Sequence, residues 1–337
     1  MPADDQPRVY AIAMRQRFRG ITERQGVLWR GRAGWTEWSP FLDYDDATAA
    51  AWLAAADEAA EQGFPAPVRD RVPVNCTVPA VDPATAHRLV AASGCRTAKV
   101  KVAEPGQRLD DDRERVAAVR DALGAAGRVR VDANGGWDVD TAVEALTALD
   151  RWDLEYAEQP CPRVEDLAAL RVRLAGKGRS VPVAADESIR RAADPYRVAE
   201  LEAADVAVLK VQPLGGVRAC LEIAERIGLP VVVSSALETG VGLAAGLALA
   251  AALPELPYAC GLNTGPLLTD DPVAAPLRAV DGVMPVPTQD ALVLDEAAWS
   301  RCAAGVRTAE GWAERLARVR GVLGARDTEG PRDGGAR

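Results

Sequence analysis

The rhythm of hydrophobic positions changes near residue 72, and that change divides the chain in two. Before it, apolar residues come in short extended runs at 9–14, 26–30 and 34–38, with Gly20 and Gly31 placed to turn between them. These runs predict hairpin-like strands. The polar, basic stretch 15–25 reads as a mobile loop. Residues 47–62 are alanine-rich and end at Gly63 and nearby prolines, which predicts a helix with a defined stop. The opening stretch is therefore a small α+β unit.

From residue 72 onward, short apolar runs alternate with helical patterns. Strands are predicted at 72–78, 97–102, 129–132, 154–158, 181–185, 206–210, 230–233 and 258–260. Helices are predicted between them at 83–92, 110–123, 139–149, 164–174, 195–201, 216–227 and 238–253. Eight strands alternating with helices indicate a parallel α/β barrel rather than an open sheet. After residue 268 the chain turns Asp/Pro-rich, then extended at 283–287, then helical at 309–323. This tail is expected to return to the first unit. The division is thus 1–71 with 283–337 as an α+β cap, and 72–282 as the barrel. Residues from Asp327 onward are expected to be disordered.

Composition narrows the function. A chain of 337 residues, 48% hydrophobic and 26% charged, is ordinary for a globular protein with a large core. A net charge of -9 disfavours nucleic acid and anionic membranes as partners. Arg15, Arg17 and Arg19 then read as a solvated loop or a small-anion contact. No opening apolar run suggests a leader, and 241–253 is too short to span a membrane. Six scattered cysteines lack zinc-type spacing and read as buried small hydrophobes in a reducing cytoplasm. The single histidine, His87, falls in a predicted helix, which leaves a Ser-His or Cys-His hydrolase nothing to work with.

The charged strand ends carry the chemistry. Lys99 and Lys101 lie two apart on one strand and so share a face. Asp132, Glu158 and Asp186 stand at the ends of three following strands, and Lys210 ends a fourth. In a parallel barrel those ends form the active face. Three hard oxygen donors suit Mg²⁺, or Mn²⁺, which would bind a small-molecule carboxylate and stabilise a second negative charge as it develops. Lysine acts as a base only with a pKa well below about 10.4, and nearby cations favour that. Lys99 reads as a salt bridge to a ligand carboxylate. Glu187, beside Asp186, is expected to hold Lys210 by an ion pair. Asn134 either reaches toward the metal or ligand, or caps the next helix. Ser234 and Ser235 either offer hydroxyls and amides to the far end of a substrate or form a plain turn. Gly240, Gly242 and Gly246 have the wrong spacing for a dinucleotide loop and read as close helix packing.

Taken together, Lys99-x-Lys101, Asp132-Ala133-Asn134, Glu158, Asp186-Glu187-Ser188 and Lys210 resemble the enolase superfamily, in its muconate-lactonising-like branch. Gly34-Trp35-Thr36-Glu37-Trp38-Ser39-Pro40-Phe41, Ser234-Ser235-Ala236-Leu237-Glu238 and Gly261-Leu262-Asn263-Thr264-Gly265 extend the resemblance over nearly the whole chain. The resemblance implies a (β/α)7β-type TIM barrel with a capping domain built from both chain ends. It implies that Lys101 removes the proton α to a carboxylate, with Mg²⁺ on Asp132, Glu158 and Asp186. Loss of a neighbouring hydroxyl as water would follow, with Lys210 stabilising charge across the site. Ser234, Ser235 and Gly265 fall where substrate contacts are expected, and stretch 15–25 resembles a lid. Racemisation of N-acylated amino acids, or epimerisation of dipeptides, is the alternative activity within the same superfamily.

Overall fold

The computed structural model describes residues 6–192 and 194–329. Three antiparallel strands, β1 (Arg8–Phe18), β2 (Ile21–Arg30) and β3 (Trp35–Trp38), open the chain in sheet order β1-β2-β3. In β1 the buried positions are Tyr10, Ile12 and Met14, with Ala13 and Arg15 exposed between and after them, the two-residue period of a half-covered strand. The mobile loop expected at 15–25 is instead continuous hairpin. Phe18 pairs with Ile21, and Arg19 and Gly20 make the turn at φ 50° and 76°. Two successive positive φ values match the twist of a two-residue hairpin, so the polar residues 15–17 ride on a strand as its solvent faces.

Helix α1 (Asp46–Gln62) begins where the Asp45 carboxylate accepts the Thr48 amide at 2.7 Å. It lays Trp52, Leu53 and a run of alanines on the sheet. The long helix α11 (Val306–Glu329) packs beside it, with Trp312 edge-on to Trp38 at 5.3 Å between ring centroids. Asp327–Glu329, expected to be disordered, are the last turn of α11; the rest of that expectation, from Gly330, lies outside the described residues.

The barrel strands are β4 (Arg71–Val78), β5 (Thr97–Lys101), β6 (Arg128–Asp132), β7 (Leu154–Glu158), β8 (Val183–Ala185), β9 (Val206–Leu209), β10 (Val231–Val233) and β11 (Cys260–Asn263). Neighbours pair in parallel in the order β10-β9-β8-β7-β6-β5-β4-β11, and a Ser234–Gly261 bridge brings the two ends together. The barrel is thus nearly closed. Helices α2 (Pro83–Ser93), α3 (Leu109–Leu123), α4 (Val139–Leu149) and α5 (Val164–Gly176) follow β4 to β7. The single turns α6 (Glu187–Arg190) and α7 (Arg197–Glu200) follow β8, and α8 (Val217–Ile227) and α9 (Gly240–Ala252) follow β9 and β10. The helix expected at 195–201 shrinks to α7, because Asp194 turns the chain onto the Tyr196 amide and Glu202 takes a left-handed conformation. Strand β12 (Val283–Pro285) pairs antiparallel with Arg71–Pro73 at the start of β4. Helix α10 (Glu296–Cys302) and α11 then return to the cap.

Two cap carboxylates seat the cap on the barrel. Glu58 of α1 accepts the amides of Val217 (2.9 Å) and Arg218 (3.3 Å), where α8 has no side-chain cap of its own. Glu37 of β3 accepts the amides of Thr239 (3.1 Å) and Gly242 (3.0 Å) at the start of α9. Each carboxylate satisfies orphan helix N–H groups and meets the positive end of a helix dipole. The glycines of α9 are packing devices, as expected. A Cβ on Gly242 would meet Glu238 at 2.6 Å, and one on Gly246 would meet Leu262 at 2.6 Å.

Glu238 lies in this seam at 4% exposure and accepts the Ala236 amide at 2.6 Å. Burial and the charge of Glu37 push its carboxyl from the ordinary 4.5 up to about 7. Between those two values the native state keeps a proton that the unfolded chain gives up, so stability falls as pH rises through that window. The loss is about 3 kcal/mol once pH exceeds both values. Glu238→Gln keeps the acceptor and removes the charge. Its thermal melts are expected to show a gain over wild type that is larger at pH 8 than at pH 5. An equal gain at both pH values would contradict the assignment.

Candidate active site

The strand register assembles the charged residues on one end of the barrel. Lys101 of β5 is the ladder partner of Asp132, and Asp132 of β6 is the partner of Glu158. Asp186 follows the last residue of β8, and Lys210 follows the last residue of β9. Asp132, Glu158 and Asp186 are at most 1% exposed, so each carboxylate must be paired or protonated.

They are paired. Lys99 Nζ donates to both oxygens of Glu158 at 2.7 and 2.8 Å and lies 3.1 Å from Asp132 Oδ2. Lys101 Nζ reaches Asp132 Oδ2 at 2.5 Å and also the Asn134 side-chain oxygen. On the far side Lys210 Nζ donates to Asp186 Oδ2 at 2.6 Å, and Arg190 Nε to Asp186 Oδ1 at 2.8 Å. Burial works against the charge on Lys99, but Asp132 and Glu158 outweigh it and raise its pKa. Burial likewise works against Asp132 and Asp186, and the flanking cations outweigh it, holding both carboxyls well below the usual range. Glu158 goes the other way. Burial first, then the charges of Asp132 and Asp186, raise it, and Lys99 offsets that only in part. The double hydrogen bond from Lys99 is a bond to a carboxylate, so burial and the neighbouring acids push Glu158 up while the ion pair stays in place.

The expected Glu187–Lys210 ion pair is absent. Glu187 opens α6 and binds Arg190 Nη2 at 2.5 Å and Asn134 Nδ2 at 3.2 Å instead. Asn134 does not cap the next helix, because Asp138 does so by accepting the Thr141 amide at 2.8 Å. It takes a left-handed conformation (φ 46°) that aims its side chain at Lys101 and Glu187. Ser234 is buried at the barrel closure, and Ser235 Oγ lies 2.7 Å from Thr264 Oγ1, one residue before Gly265. Sequence reasoning missed Arg190, which also donates to the Tyr44 hydroxyl at 2.8 Å and so ties the site to the cap. Its position, four after Asp186 in a helix, was the available signal. It also missed Phe18 of the hairpin, whose ring centroid lies 5.2 Å from Lys101 Nζ.

Among the described residues, no three His, Cys, Asp or Glu side chains are grouped as ligands of one ion. Each acid is turned onto a lysine or arginine instead. The donor set still fits a hard divalent ion, since it consists of carboxylate oxygens on neighbouring strand ends. An ion there would offset the burial, and the charges of Asp132 and Asp186, that push Glu158 up.

A capped parallel barrel with this order of charged strand ends has the architecture of the enolase class. A family model described as enolase C-terminal domain-like matches residues 82–291, and one described as enolase N-terminal domain-like matches 9–60. The muconate lactonizing enzyme of Pseudomonas fluorescens superposes with a TM-score of 0.76 at 25% identity, covering 89% of this chain and 98% of that one. Closer in sequence is the o-succinylbenzoate synthase of Thermobifida fusca, 61% identical over 315 residues, which are 91% of this chain and 98% of that protein. That of Mycolicibacterium smegmatis is 54% identical over 310 residues, 91% and 93% of the two chains. The chain belongs to the enolase superfamily, and within it to the family of the o-succinylbenzoate synthases. Enzymes of this superfamily use a divalent metal ion.

Proposed function

We propose that this chain is an o-succinylbenzoate synthase, a lyase of menaquinone biosynthesis. It removes water from 2-succinyl-6-hydroxy-2,4-cyclohexadiene-1-carboxylate. The observation that carries this reading is the pair of lysines, Lys101 and Lys210, on opposite sides of a row of buried carboxylates, in a chain 61% identical to the Thermobifida fusca synthase. Asp132, Glu158 and Asp186 would hold Mg²⁺, or Mn²⁺ in its place. When bound, the ion draws electron density from the substrate carboxylate and acidifies the adjoining C–H.

Lys101 as a free amine takes the proton from the carbon bearing the carboxylate. The electron pair left there forms the new ring double bond as the bond to the neighbouring hydroxyl breaks. Lys101, now an ammonium, returns its proton to the leaving oxygen, and water departs. Lys210 supports the charge that develops on the opposite face, and Asn134 orients the Lys101 amine. Ser235, Thr264 and Gly265 stand where a succinyl tail would lie. The six cysteines, all free and buried, support a reducing, cytoplasmic setting.

The test is an assay of purified protein with Mg²⁺ on the cyclohexadiene carboxylate and, in parallel, on N-succinyl amino acids. Efficient formation of the aromatic product is expected. Negligible dehydration beside fast racemisation would reject this reading in favour of the racemase.

A further inference from the structure

The end of β5 is held from behind by a buried ion pair on α3 that touches neither the carboxylates nor the substrate face. Asp112 and Arg115 are 3% and 1% exposed, and their side chains meet at 2.8 Å. Two charges this deep are costly to desolvate and carry information about what they hold. Arg115 Nη1 donates to the main-chain oxygen of Lys101 at 2.9 Å, and Nε to that of Val81 at 2.7 Å. Its other terminal nitrogen meets the Gln107 side chain. Asp112 Oδ2 accepts the amide of Ala103 at 3.0 Å.

Between those two anchors the chain makes an unfavourable turn. Val102 still bonds to the β6 ladder through the Asp132 carbonyl, at 3.0 Å. Ala103 then takes φ 59°, a conformation that L residues with a side chain avoid. The turn leaves the methyl against Gly136, where an added Cβ would lie 2.8 Å from that of Ala103. Such strain persists only where the surroundings impose it. Here the surroundings are Asp112 on the amide of Ala103 and Arg115 on the carbonyl two residues earlier.

We propose that Asp112 and Arg115 are positioning residues for the base, fixing the strand end from which the Lys101 side chain leaves. This rests on the reading of Lys101 as the base. The pair holds the main chain of residues 101–103 in the one conformation that aims Nζ at the proton it removes. The cost of losing it is therefore expected in the chemical step rather than in substrate binding.

Arg115→Met keeps the length of the side chain and removes its donors. Its kcat is expected to fall about 10- to 100-fold, as for a base displaced by about an ångström, with KM within about twofold of wild type. Asp112→Asn decides the matter if Arg115→Met does not fold, and the same split between kcat and KM is expected of it. Ala103→Gly adopts φ 59° without strain, so adding it to Asp112→Asn is expected to recover several-fold of the lost kcat. Folded variants with wild-type kcat, or a loss shared equally by KM and untouched by Ala103→Gly, would overturn the proposal. Turnover by Lys101→Ala is a separate result that sinks the reading of the base itself.

Discussion

Lys101→Ala is expected to lower kcat by about 10²- to 10⁴-fold, the range a positioned general base contributes, and to leave the fold intact. The structure explains why the two effects separate. Asp132 loses its 2.5 Å contact but keeps Lys99 at 3.1 Å, so no buried carboxylate is stranded. Lys210→Ala is expected to behave alike, because Asp186 keeps Arg190 at 2.8 Å. Lys99→Ala differs. It takes away the ammonium bonded to both oxygens of Glu158, and a buried charge left unpaired costs about 3–5 kcal/mol. Steady-state rates and thermal melts on the three variants check this: two dead enzymes with near-native melting, and one that melts early. Substantial turnover in either Lys101→Ala or Lys210→Ala would remove the two-lysine site.

Chelation is the second large effect. Treatment with EDTA is expected to lower turnover at least about 10³-fold, since in the proposed mechanism the ion acidifies the substrate C–H. Added Mg²⁺ is expected to restore it. The far-ultraviolet dichroism should not change. In the structure Lys99, Lys101, Lys210 and Arg190 stand against Asp132, Glu158, Asp186 and Glu187, four cations on four carboxylates, so the barrel end is charge-balanced without metal. A chelated protein that unfolds would contradict that balance, and one that keeps full activity would contradict the metal.

The strand ends were legible in the sequence because a parallel barrel puts catalytic groups at one fixed place, the last residue of each strand or the one after it. Asp132 and Glu158 end β6 and β7, and Asp186 and Lys210 come directly after β8 and β9, so strand periodicity alone places them together. What escaped was set by tertiary contacts that no local pattern records. The stretch 15–25 reads as loop from its charges, yet it is hairpin because residues 15–17 and 22–23 face solvent, Arg24 is buried against the cap and barrel, and the Arg19-Gly20 turn fits the strand twist. The expected Glu187–Lys210 pairing fails because Glu187 comes after β8 has ended. Once α6 begins, side chains follow helical spacing, and Glu187 meets Arg190 three residues on. The buried pair of Asp112 and Arg115 hides in plain amphipathic spacing, where acid and base three apart usually mean a solvated helix face.

The central claim is that Asp132, Glu158 and Asp186 gather around one divalent ion beside Lys101. Anomalous diffraction from crystals grown with Mn²⁺ tests it most directly. The account predicts a single strong peak in contact with oxygens of all three carboxylates, at about 2.0 to 2.3 Å, with Lys101 and Lys210 facing each other across it. Carboxylates still bound to their lysines, with the peak elsewhere or missing, would contradict it.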